Sequence, residues 1–122
     1  MTGDSDRPRL GACGHVSVRS HRQLEAALGP LLRRRFDGDP ALRIGYLDHL
    51  DDLRILATGF DIVFNGDEHG YSFASSFHGA VDEALAWYRA ISEALGQHGL
   101  LHELEVSAED EDGTWSEILT LP

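Results

Sequence analysis

NGDEHGYSFASSFHGAVDEALAWYRAISEAL, residues 65–95, is the stretch whose reading decides the fold. Its first six residues are dense in Asn, Gly and Asp, a turn signal. From Tyr71 to Phe77 the large apolar residues fall mostly two apart, the period of a strand with one buried face. Beyond His78 the period changes. Val81, Ala84, Leu85, Tyr88, Ile91, Ser92 and Leu95 recur at helical spacing, with Asp82, Glu83, Arg89 and Glu93 around the rest, which predicts an amphipathic helix over 79–95. Gly96-Gln97-His98-Gly99 ends it, because glycine accepts the left-handed backbone of a helix stop. A strand handing over to such a helix predicts a sheet with the helix laid back across it.

The flanks extend the pattern. His15 to Arg19 alternates as a short strand and leads into Ser20-His21-Arg22-Gln23, a capping-box pattern in which Ser20 caps and Gln23 reaches back. The helix that follows has Leu24, Ala27, Leu28, Leu31 and Leu32 on its stripe, and Gly29-Pro30 predicts a kink or a split. After a turn at Asp37-Gly38-Asp39-Pro40 comes a strand over 42–47, then a polar loop from Asp48 to Asp52. Leu53 to Phe64 is apolar and β-rich, and Thr58-Gly59 within it reads as a bulge or as a turn between two short strands. Leu104, Val106 and Ala108 alternate with Glu103, Glu105 and Ser107, a strand with one wet face. A final hairpin turns through Glu109-Asp110-Glu111-Asp112-Gly113 and returns over 114–121. The expectation is an α+β fold: a mostly antiparallel sheet of about five to six strands with two helices packed on one face, in the order β-α-β-β-β-α-β-β. Residues 1–14 have no periodicity and read as a flexible N-terminal tail, and 15–122 as a single domain.

Charge is distributed unevenly along the chain. Residues 1–43 hold eight arginines against five acids, whereas 44–122 hold sixteen acids against two arginines. A field of that sign repels nucleic acid and anionic lipid and attracts a basic protein surface. Arg33-Arg34-Arg35 forms the one basic run; its side chains diverge on a helix, and a place near the helix C-terminus suits the macrodipole. Every basic residue is Arg, which fits a GC-rich genome and carries no functional weight.

Few residues combine into recognisable chemistry. With one cysteine, Cys13, the chain forms no internal disulfide and no multi-cysteine zinc site, so a reducing cytoplasm is the expected compartment. No run approaches the ~20 apolar residues of a membrane span. Asp48 to Asp52 and Asp110 to Gly113 echo fragments of cation loops, but each lacks the bidentate Glu that completes one. His98 and His102 have zinc-binding spacing, broken by Gly99 where the helix ends. Serines 72, 75, 76 and 107 read as sheet residues rather than nucleophiles, and no Gly-rich phosphate cradle is present. The sequence therefore predicts no catalytic residue, no metal and no cofactor. What remains is a set of acidic connections, Asp48, Asp51 and Asp52, then Asp67 and Glu68, then Glu109, Asp110, Glu111 and Asp112, together with Trp87 and Trp115 as aromatic anchors. Charges that speed encounter and aromatics that slow release are the components of a protein-binding surface.

In its size, acidity, lack of Lys and α+β character the whole chain resembles the immunity proteins that bacteria encode beside polymorphic or contact-dependent toxins. The resemblance implies stoichiometric neutralisation of a basic partner, a cognate toxin or effector, in the cytoplasm. A small-molecule-binding regulatory domain and a structural or oligomerisation module are the alternatives.

Overall fold

The computed structural model describes residues 9–47, 52–68, 70–109 and 112–121. Their elements, in chain order, are β1 (Arg9–Val16), α1 (His21–Arg35), β2 (Arg43–Leu47), β3 (Asp52–Ala57), β4 (Phe60–Asp67), β5 (Gly70–Phe77), α2 (Val81–Gln97), β6 (His102–Glu109) and β7 (Trp115–Leu121). The architecture is α+β as expected, but the antiparallel sheet has seven strands rather than five or six, in the order β2-β3-β4-β5-β1-β6-β7. The additional strand comes from Thr58-Gly59. It is a two-residue turn with Ala57 opposite Phe60, so 53–64 divides into two strands and four strands separate the helices.

The greatest departure from expectation is β1. The expected tail reaches Gly14, yet pairing begins at Arg9, with Leu10 opposite both Phe77 and Ala108. Leu10, Ala12 and Val16 are buried on the helix side of the sheet. Gly14 conceals their alternation in the sequence. A Cβ there would overlap the Glu103 carbonyl oxygen and press on the Phe73 ring, so the close approach of β1 to β6 requires glycine.

Both helices share that side. Leu24, Leu28 and Leu32 of α1 and Tyr88, Ile91 and Leu95 of α2 join Leu53, Ile55, Phe64, Tyr71, Phe73 and Val106 in one core. The phenol of Tyr88 lies 2.8 Å from Ser75 Oγ, which donates at 2.6 Å to the Asp61 carbonyl; the Tyr88 hydroxyl therefore donates to Ser75. Burial outweighs that hydrogen bond and pushes the phenol up to about 12.

Local chemistry adjusts the helix ends. Gln23 does reach back, but its side-chain oxygen accepts from the Arg19 N–H at 2.9 Å, and Ser20 makes no side-chain cap. Pro30 does not split α1, which runs unbroken to Arg35. Ala26 and Pro30 are both exposed, so the carbonyl that loses its partner faces water. Gly99, at φ +71°, lets the Leu100 N–H return to Leu95 O at 3.0 Å and closes α2 after Gln97. No helix among the described residues is long and apolar enough to cross a membrane.

Asp39 fastens the 37–41 turn to the β3–β4 turn. Its carboxylate accepts from the N–H of Thr58 at 2.9 Å and of Ala41 at 2.8 Å, and from Thr58 Oγ at 2.9 Å. These bonds, the Thr58 N–H foremost, hold its carboxyl below the usual carboxylate range. A depressed folded-state pKa contributes stability above the unfolded value that is lost as pH falls through the folded one. Asp39→Ala should thus lower the urea midpoint at neutral pH, and the gap from wild type should close as pH falls below the ordinary Asp range. Leu10→Ala should cost ~2–5 kcal/mol in urea unfolding if β1 begins where the pairing places it, whereas a flexible tail would register no change.

Candidate functional site

Because α1 and α2 cover one side of the sheet, the alternate residue of every strand points to the other, and no described element covers that open face. Register assembles its rows. Asp61, Ser76, Gly11, Ser107 and Glu117 lie side by side across β4, β5, β1, β6 and β7, and the next row is Val63, Ala74, Cys13, Glu105 and Thr120. The centre of the face is a lane of small side chains with carboxylates on both flanks. Leu56 at 42% exposure and Trp115 at 51% are its most exposed large apolar residues.

Trp115 shapes the lane. It pairs with Glu109 at the start of β7, and its ring leans across β6 to the position a Gly11 Cβ would touch, 3.5 and 3.6 Å away. A Cβ at residue 11 would crowd the Ser75 carbonyl oxygen at 3.0 Å and touch the indole at van der Waals distance. The result is a hollow of about 330 Å³, floored by Gly11, Ala12 and Cys13 and walled by Ser107, Glu105 and Trp115. A bulge in the β6–β7 ladder after Val106 brings Glu117 opposite Ser107, beside this wall.

The electrostatics of the hollow are one-sided. The Cys13 thiol lies 3.8 Å from Glu105 Oε2. Burial first, then the Glu105 charge and hydrogen bond, hold that thiol above its usual value and so keep it protonated and a poor nucleophile. Desolvation, followed by the charge of Glu105 and a hydrogen bond with it, raises the Glu117 carboxyl. Arg9 is drawn to Glu109 at 3.8 Å instead. Among the described residues neither Glu105 nor Glu117 has an ion-pair partner.

The residues expected to form a binding surface separate into three groups. Asp52, at the start of β3, accepts from the Gly66 N–H at 3.2 Å, and Asp67 pairs with Gly70 beside the exposed Glu68, so these gather at one end of the sheet. Glu109, Asp112 and Trp115 lie at the opposite end, and the open face spans the distance between. Asp48, Asp51, Asp110 and Glu111 lie outside the described residues. Trp87 is a correction: it is 5% exposed and packs T-shaped on Phe36 and Phe60, with the Arg35 guanidinium 5.8 Å above its ring. A position on the flank of a single-sided stripe is buried here because α2 meets α1 as well as the sheet. The expected set omitted Gly11, Cys13, Glu105, Ser107 and Glu117. Only the wet-face alternation of β6 pointed towards two of them.

Other polar groupings serve the scaffold. His102 Nδ1 donates to the Leu100 carbonyl at 2.9 Å, so its Nε2 accepts from Ser92 Oγ at 2.7 Å. That pair fastens α2 to the start of β6, and the adjacent cleft is lined by His102 but not by Ser92. No three His, Cys, Asp or Glu side chains among the described residues converge as metal ligands.

The chain matches no family model, no curated protein and no solved structure.

The two tryptophans should separate cleanly in experiment. Trp87→Ala should cost ~3–5 kcal/mol in unfolding free energy, while Trp115→Ala should shift it by less than about 1 kcal/mol. Acrylamide should quench the emission of Trp115 in the folded protein and leave that of Trp87 largely shielded.

Proposed function

We propose that this chain is a stoichiometric binding protein for a basic protein, docking it on the open face of the sheet around Trp115. The observation that carries the reading is the juxtaposition in that face of a half-exposed tryptophan, a lane of small side chains and flanking carboxylates. A flat lane admits close approach of a partner's surface, the indole supplies an anchor, and the acidic field accelerates encounter. Stoichiometric neutralisation of a toxin or effector in a bacterial cytoplasm, as in the immunity proteins, is the biological form of this reading that best suits the chain's charge and size. The acidic connections at either end of the sheet then act in long-range steering rather than in the contact itself.

The test begins with a protein captured at one-to-one stoichiometry by the tagged chain and then measured by calorimetry. Ala74→Arg puts a bulky cation in the middle of the lane and should weaken binding at least tenfold, a loss of ~1.4 kcal/mol. Ala86→Arg, exposed on α2, makes the same charge change and should leave affinity within about twofold. Equal effects of the two variants would show that bulk charge, and not this face, controls binding.

A further inference from the structure

The hollow beside Trp115 has features that a flat docking face does not need. Its floor carries no side chain beyond Cβ except the Cys13 thiol, which leaves room for a group laid against the indole. One wall is the indole, whose π face attracts a cation within ~6 Å of its centroid. Glu105 lines the hollow with it, and Glu117, opposite Ser107, stands beside that wall; neither has an ion-pair partner among the described residues. An apolar side chain entering here would bury that pair uncompensated, and an anion would be repelled by it. A planar guanidinium satisfies both walls, stacking on the indole while donating to carboxylate oxygens.

We infer that the hollow between Trp115 and Glu105, with Glu117 beside it, receives an arginine side chain of the docked partner, and this inference rests on the docking reading above. The proximity of Glu105 and Glu117 on neighbouring strands supplies a signature. A cation seated beside them favours both charged forms, so affinity rises as pH climbs through the carboxylate range. The other charged or titratable groups around the pair are Glu103 and Glu109 on β6 and Arg9, Cys13 and His15 on β1. The far side of β7 is the sheet edge.

The probe is acetyl-Arg-Arg-Arg-amide, titrated into the full chain at low salt and followed by backbone-amide and indole NMR shifts. The largest shifts should fall on the Trp115 indole and on the amides of Gly11, Cys13 and Ser107. Trp115→Ala, or Glu105→Gln with Glu117→Gln, should weaken the apparent affinity roughly tenfold, and the double variant should also lose the tightening as pH rises through the carboxylate range. Matching wild-type and variant urea midpoints will show that the fold is intact. Shifts spread over the open face with the same affinity in wild type and variants would overturn the arginine hollow and leave the docking face standing. Shifts confined to the α1 and α2 surface, or absent altogether, would overturn both.

Discussion

Every layer of this molecule depends on β1 being hydrogen-bonded on both edges. It joins the β2-to-β5 meander to the β6–β7 hairpin, and without it the sheet is two separate pieces. Leu10, Ala12 and Val16 place its apolar side under the helices, while Gly11 and Cys13 place its small residues at the centre of the open face. One strand therefore carries both the middle of the core and the floor of the site. Its glycines serve those two ends in different ways: Gly14 admits close packing against β6, and Gly11 avoids crowding the Ser75 carbonyl under the indole.

Much of the architecture was legible because hydrophobic periods change cleanly from two to 3.6 along the chain. Tyr71 to Phe77 and the α2 stripe register in any reading of that kind, and β6 shows its wet face through Glu103, Glu105 and Ser107. β1 was not legible, since Gly14 falls where an apolar residue would continue the alternation from Leu10 and Ala12 to Val16. Pro30 misled in the opposite direction: its cost depends on whether the freed carbonyl meets water, which the pattern alone does not specify. Trp87 was misplaced for a related reason, because a helix wedged between a sheet and a second helix buries more than one stripe.

The candidate site was still harder to read. Gly11, Ser107 and Glu117 are neighbours only through two strand registers and a bulge, and register is decided by tertiary pairing. The acidic loops stood out in the sequence because their charges are consecutive. The carboxylates beside the Trp115 hollow were inconspicuous because alternation spaces them out along β6 and β7. Surface charge thus drew attention to the ends of the sheet, while the geometry concentrates its chemistry on the face between them.

The central position of the first strand also orders events during synthesis. Leu10 must wait for Phe77 and then for Ala108 to leave the ribosome before both of its edges are paired. Once β5 has emerged β1 can close its edge, and the outer edge of β1 then stays open until β6 follows. Its long-range closure makes this a high-contact-order fold that assembles slowly for its size, and a nascent chain in this state has reason to engage a chaperone.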